Sequence, residues 1–259
     1  MKKLLCALSL FLNIAMLYAR TIPCEGLYTG HLQGIATDGK HIFWSFTTTL
    51  VKTDMEGKLV KKVQVPRHSG DPCLLNGKLY IPVNRGKFNK PKGASKDSIE
   101  VYDAETLELR KTVEIPECDH GAGAIGTFQN HIWLTGGLPD DAPCNIILEF
   151  TEELEFVKRH ECQGYTKMGI QTMKRMRGLW WCGVYDKPAS FVCDDNFTVL
   201  VRNPVYLAVG MAELPDGTIL VARTKRQPNP DNPDKKLWSG RILTATYDEQ
   251  NKTIVLDKQ

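Results

Sequence analysis

A repeated unit constrains this chain more than anything else in it. A strand-like run ends on an acid at Val51-Lys52-Thr53-Asp54, Val101-Tyr102-Asp103, Val192-Cys193-Asp194 and Thr246-Tyr247-Asp248, and Glu149-Phe150-Thr151 keeps the shape with Thr in place of the acid. A short polar turn and a further β-rich run follow, as at residues 59–65, 108–115, 154–161 and 253–256. Asp suits the turn because its carboxylate accepts bonds from backbone N–H groups just ahead of it.

A second unit lies upstream of each copy. Gly34-Ile35-Ala36-Thr37 matches Gly169-Ile170-Gln171-Thr172 closely, and Ala124-Ile125-Gly126-Thr127 and Gly210-Met211-Ala212-Glu213 are looser versions. Asp71-Pro72-Cys73-Leu74 holds the same place in the second copy. A turn and a β-rich run follow each one, and four steps carry Gly34 to Gly210 at about 44 residues each. Four strands in that length is the period of a propeller blade. Helical spacing of apolar residues is absent, and an open β-sandwich would not explain the repeat. The pattern predicts an all-β, five-bladed β-propeller with blades near residues 31–67, 68–117, 118–164, 165–208 and 209–256.

The first 19 residues read differently. Lys2 and Lys3 precede an apolar run from Leu4 to Leu17, and Tyr18-Ala19 ends it on a small residue. That order predicts a cleaved signal peptide over residues 1–19, and the run is short for a membrane span. The expected product is a single propeller domain over residues 20–259, periplasmic or secreted, with no membrane span after cleavage. Losing Lys2 and Lys3 but no acid moves the formal charge from +3 close to neutrality, which gives no reason to expect nucleic acid as a partner. Of eight cysteines, Cys6 falls in the leader, and no CxxC pair suggests a zinc ribbon or a redox motif. Cys182 with Cys193 across a hairpin is one disulfide reading, and Cys118 and Cys162 bracket a repeat. Buried free thiols are the other reading.

Propeller geometry turns the repeat into a place. The inner strand of each blade lines the axis, and the loops between second and third strands open on the face where inner strands begin, the upper face. These loops are long at residues 84–98, 136–144, 184–189 and 224–239, and long loops are commonly functional. His31, His68 and His120 precede the inner strands of blades one, two and three. Imidazoles gathered at a channel mouth suit acid–base chemistry near neutral pH and suit a divalent metal ion. His31, His68 and His120 are therefore the candidate catalytic residues and the candidate metal ligands. Gln33, Asp71, Asp119 and Gln171 are placed to complete a ligand shell or to orient the rings.

Gln33, Asp71, Gln171, Tyr185, Glu213 and Arg223 are the candidate substrate-binding residues, Arg223 for an anionic group. Trp44, Trp133, Trp180 and Trp181 fall on second strands, where packing between blades accounts for them. His41, His131 and His160 fall in turns or outer strands and read as structural.

The segments Gly30-His31-Leu32-Gln33-Gly34-Ile35-Ala36-Thr37-Asp38-Gly39, His68-Ser69-Gly70-Asp71 and His120-Gly121-Ala122-Gly123 resemble a family of secreted bacterial propeller-like proteins of unassigned function. The resemblance covers most of the chain and implies fold and export but no activity. Gln33-Gly34-Ile35 also looks like the Gln-Gly-Leu element of five-bladed glutaminyl cyclotransferases, without a further matching motif. Two functions follow from the residues. One is a lyase or hydrolase acting on a carbohydrate or other small anionic molecule, with a metal ion assisting. The other is a non-catalytic propeller binding a glycan or a protein. Histidines in three blades only, with Met168 and Val209 near the equivalent places in the other two, favour one composite site and hence the enzyme.

Overall fold

A computed structural model describes residues 20–232 and 234–257; the leader expected over residues 1–19 lies outside them. The turn residues behave as their chemistry dictates. Asp54 Oδ1 accepts the N–H groups of Glu56 at 3.0 Å and Lys58 at 2.8 Å. Asp103 Oδ1 accepts those of Glu105 and Thr106 at 3.0 and 2.8 Å, and Asp194 Oδ1 those of Asn196 and Thr198, both at 2.9 Å. Thr151, where the acid is missing, accepts the Glu155 N–H on Oγ1 at 3.2 Å. A β-bulge precedes each of these turns, at Lys52/Thr53, Val101/Tyr102, Glu149/Phe150 and Val192/Cys193, so the repeat extends to the irregularities of the ladder.

Among the described residues all regular structure is strand. Strand β1 (Thr21–Pro23) precedes the first repeat. Blade one is β2 (Leu32–Thr37), β3 (His41–Phe46), β4 (Thr49–Asp54) and β5 (Leu59–Gln64). Blade two is β6 (Cys73–Leu75), β7 (Lys78–Asn84), β8 (Asp97–Asp103) and β9 (Leu109–Glu114). Blade three is β10 (Ala122–Phe128), β11 (His131–Gly136), β12 (Cys144–Phe150) and β13 (Phe156–Gln163). Blade four is β14 (Thr172–Met176), β15 (Leu179–Gly183), β16 (Ser190–Cys193) and β17 (Val199–Asn203). Blade five has β18 (Met211–Glu213), β19 (Ile219–Pro228), β20 (Lys236–Asp248) and β21 (Thr253–Leu256). The four repeat strands of each blade pair antiparallel in sequence order, so the five-bladed propeller forms as the repeat predicts.

Second strands are buried on both faces because blades stack on each side of them. Trp44, Trp180 and Trp181 are fully buried, with the Trp44 indole N–H donating to Thr53 Oγ1 at 3.0 Å and that of Trp181 to Met176 O at 3.1 Å. One apolar cluster joins blades two and three through Tyr80, Ile99, Ile125 and Leu134. Another joins blades three and four through Trp133, Ile147, Trp180 and Phe191. Each such side chain contributes about 1.5–3 kcal/mol by leaving water. Fourth strands such as β5 are exposed along much of their length.

Two features differ from the sequence-based expectation. Blade five does not begin at residue 209 alone: β1 pairs with β20 through Thr21↔Leu243, Ile22↔Ile242 and Pro23↔Arg241, while β21 takes the remainder of that edge from Ala245 to Asp248. The ring is therefore closed by the chain's own beginning, and Tyr28 N and Trp238 N bond each other's carbonyls at 2.9 and 2.8 Å to prolong the seam. The expected long loop over residues 224–239 is also largely a hairpin, with β19 and β20 paired from Thr224↔Gly240 out to Pro228↔Lys236. Irregular backbone is confined to the tip.

The inner strands meet closely at the axis. A Cβ on Gly34 would stand 2.0 Å from Asp71 Oδ1, and one on Gly70 would stand 2.1 Å from the Gly123 carbonyl oxygen, so only glycine fits at these two positions. Asp71 N donates to Gly123 O at 2.8 Å and Ile125 N to Asp71 O at 3.1 Å, directly bonding blade two to blade three.

Candidate functional site

The upper face holds a two-histidine cluster built on a bulge. Strand β2 pairs with β3 at Leu32↔Phe46 and then at Gly34↔Ser45, which leaves Gln33 as the extra residue. A bulge turns its side chain out of the regular alternation. Here it sends the Gln33 amide between two rings, with Nε2 at 3.3 Å from His31 Nε2 and 3.1 Å from His68 Nε2. The same nitrogen lies 3.2 Å from Thr47 Oγ1. His31 Nδ1 is 3.0 Å from Leu32 O, so Nδ1 carries the proton and the Nε2 lone pair faces the amide. An aromatic ring stands beside each imidazole: Trp238 at 5.6 Å from His31 and Phe88 at 5.9 Å from His68, centroid to centroid. Burial, then the charges of His31 and Arg67, hold the His68 pKa below the ordinary histidine value. His68 is thus a neutral imidazole at neutral pH.

His120 does not join them, and the ladder shows why. The carbonyl oxygens of His31 and His68 accept the N–H groups of Thr47 and Asn84, and in blade three the matching bond runs from Gly137 N to Gly121 O. Gly121, at φ 116°, holds the position that His31 and His68 hold in their blades. His120 stands one residue earlier, and a one-residue step in extended chain reverses the side-chain direction. Its Nδ1 bonds Lys90 O at 2.8 Å. The expected three-histidine metal centre is not assembled: among the described residues no group of three or more His, Cys, Asp or Glu side chains is placed to hold a metal ion. Asp119, expected in a ligand shell, instead pairs with Lys92 at 2.9 Å and Arg159 at 3.1 Å.

The substrate-binding candidates divide between three places. Gln33 sits in the cluster. Arg223, on the upper part of β19, donates through Nη1 to Tyr206 O and Ala222 O, both at 2.8 Å, and stands 5.9 Å from the Tyr206 ring. Tyr206 and Trp238 pack on the same apolar cluster as Leu32, and Leu32 N is 3.4 Å from Thr224 Oγ1, which ties this part of blade five to the His31 side. The Tyr185 phenol, half-buried near Tyr206, has its pKa pushed up to about 12, chiefly by desolvation. Gln171 immediately precedes β14, the inner strand of blade four, and its Nε2 is occupied by Met168 O and Gly169 O at 2.8 and 3.2 Å.

Asp71 and Glu213 lie elsewhere. Asp71 is fully buried at the axis, where its Oδ2 receives Lys174 Nζ at 2.6 Å and Met173 N at 3.2 Å. Lys174 crosses from blade four and donates also to Pro72 O at 2.8 Å and Ile125 O at 3.2 Å. The pair plugs the axis rather than facing a ligand. Burial pushes the Asp71 carboxyl up to about 7 against the downward pull of Lys174. Below this plug a cavity of about 570 Å3 opens on the lower face, lined by Thr37, Asp38, Leu74, Thr127, Lys174 and Glu213 among others. Glu213 is thus on the face opposite the histidines, in an ion pair with Arg177 at 2.6 Å. Strand β18 descends from Gly210, and three residues further places Glu213 at its lower end.

Lys174, Thr47, Phe88, Tyr206 and Trp238 were not singled out from sequence. Trp238 sits in a stretch whose prolines and charges suggest solvated loop, and its strand pairing with Tyr28 only exists once the ring closes. His131 and His160 both bond Glu149, at 2.5 and 2.8 Å.

No protein-family model matches the sequence, and no curated protein is similar to it. Solved structures do resemble the fold. A GH43_1 enzyme from Xanthomonas citri complexed with xylotriose superposes with a TM-score of 0.60 at 13% identity, over 92% of this chain and 93% of that one. A xylan β-1,4-xylosidase from Bacillus halodurans C-125 gives a TM-score of 0.61 at 9% identity, over 91% of this chain, which spans 55% of that enzyme. Identity this low establishes a shared propeller fold. Propellers of this shape thus include glycoside hydrolases. No helix among the described residues is long and apolar enough to cross a membrane.

Proposed function

We propose that the upper face of this propeller is the active site of a lyase or hydrolase acting on a carbohydrate or another small anionic substrate. One observation carries the reading: two imidazoles from consecutive blades share the amide of a bulged glutamine and stand beside aromatic rings. Paired histidines supply a proton acceptor and a proton donor within one site. His68, kept neutral by burial and by neighbouring positive charge, accepts a proton from the substrate as the Gln33 N–H lets go of its Nε2. His31 returns a proton to the leaving oxygen, so that the proton taken and the proton given balance. Trp238 and Phe88 offer flat apolar faces of the kind sugar rings pack against, and Arg223 suits a carboxylate or sulfate on the ligand. The proposed reaction needs only these side chains.

A screen of uronate-containing and neutral oligosaccharides, scored for turnover and for binding, tests the proposal. His68→Asn is expected to lower kcat by about 10²–10⁴, while Arg223→Met raises KM for the anionic sugars alone. Turnover unchanged in both His31→Asn and His68→Asn would overturn the catalytic assignment. Binding without turnover would instead support the non-catalytic platform, a reading favoured by the amide that already occupies both Nε2 atoms.

A further inference from the structure

Seven cysteines lie among the described residues, all as free thiols. Two of them face each other across a blade boundary. Cys162 sits on β13, the outer strand of blade three, and Cys193 ends β16 in blade four. Both are fully buried, and their Sγ atoms are 3.8 Å apart. They share one apolar cluster with Trp133, Trp180 and Phe197. The pairing across the β15–β16 hairpin that spacing suggests is disfavoured by register. Cys193 stands opposite Trp180 and Cys182 opposite Phe191, so these two cysteines are diagonal neighbours; their thiols also interact, but diagonal Cβ atoms ordinarily lie beyond the roughly 3.5–4.5 Å that a disulfide spans. Cys118 lies elsewhere, after blade two, where its carbonyl oxygen accepts the Ser95 hydroxyl at 3.5 Å.

We propose that Cys162 and Cys193 form a disulfide that staples blade three to blade four when the chain folds in the presence of a disulfide oxidant. The two S–H bonds break, one S–S bond forms, and the two electrons and two protons reduce the oxidant; oxidised glutathione leaves as two thiols. Side-chain rotation closes the gap between sulfurs already in contact. Buried thiols are inert once a core has closed, so the bond forms as the two blades come together. Cys182, beside them in the same cluster, remains a thiol. A chain exported as the leader predicts would meet such an oxidant during folding.

The test refolds the full chain from reduced denatured protein in a glutathione redox buffer, blocks free thiols, and maps peptides without reduction. Cleavage after Lys and Arg and before Asp separates the three candidates into residues 160–167, 178–185 and 186–193. The expected product links 160–167 to 186–193 with the loss of two hydrogen atoms, while 178–185 is recovered blocked. The same link is expected in Cys182→Ser. The linked form is expected to melt about 5–10 °C above the reduced form, as a loop of this length implies. Refolded native protein with Cys162 and Cys193 both blocked, or Cys193 linked to Cys182, would overturn the proposal.

Discussion

Lys174→Met is the perturbation whose outcome the geometry specifies most fully. The ammonium group makes three contacts at the axis, to Asp71 Oδ2, Pro72 O and Ile125 O, and Asp71 has no exposed surface through which water could replace it. Methionine fills the space of the lysine stem but leaves the carboxylate without its counter-charge. Removing one partner of a buried pair costs about 3–5 kcal/mol where the other must stay charged, and a carboxyl limits that cost by keeping its proton. The pH dependence follows from the sign of the Asp71 shift. Its folded-state pKa of about 7 lies above the ordinary 3.8, so this group's contribution to stability is fully present below pH 3.8 and is lost as pH rises through 7. Lys174 is among the groups holding that pKa down, and without it the carboxyl keeps its proton to still higher pH. Urea melts of Lys174→Met should therefore show a loss of about 1 kcal/mol, the worth of ordinary hydrogen bonds, at about pH 5, and about 1.4 kcal/mol more at about pH 8, one unit above the parent's folded pKa of about 7. Asp71→Asn/Lys174→Met, which buries no charge, should recover most of the loss at the higher pH. Destabilisation below about 0.5 kcal/mol at both pH values, or an equal loss at both, would refute the account of the plug.

Ile22→Ala tests the closure of the ring: Ile22 is 2% exposed, and its truncation is expected to cost about 2–4 kcal/mol in denaturant melts, whereas a free-standing tail would cost nothing. Arg67→Gln removes one of the charges that lower the His68 pKa, so NMR titration should find that pKa raised. In the parent protein the depressed His68 pKa makes stability fall as pH drops below the ordinary 6.5, where the unfolded chain binds the extra proton, and the variant should soften that fall.

The architecture was legible because a propeller writes itself repeatedly, and the turn acids Asp54, Asp103 and Asp194 mark the same corner in three blades. Phase was harder to read. The match between Gly34-Ile35-Ala36-Thr37 and Gly169-Ile170-Gln171-Thr172 is close in letters but displaced in space, since ladder pairing equates Ile35↔Trp44 with Ile125↔Leu134 and Met173↔Cys182. In that register Lys174 replaces Ala36 and Gly126, a charge where the other blades carry small residues, and Gln171 stands where Gln33 stands. The plug was therefore encoded but hidden by a three-residue offset. His120 illustrates the same point at one residue: the motif places it near His31 and His68, yet the ladder gives their position to Gly121. Asp71 looked like a ligand because a turn-adjacent acid usually faces water, and only the approach of Gly34 and Lys174 from other blades reveals its burial.

The seam between β1 and β20 also governs when the fold can be finished. Thr21 pairs with Leu243, so during synthesis β1 emerges before four blades and waits for β20. The entropy of closing so long a loop is modest, rising by only about 0.6 kcal/mol per doubling of its length, so the delay is imposed by order of arrival. A nascent chain that has completed four blades still presents a bare edge where blade five will dock, and keeps Ile22 in solvent. Such an edge is a template for pairing with other chains. The clasp thus makes completion of the ring a checkpoint: a chain lacking either β1 or β20 loses the same ladder, and the two strands succeed or fail together.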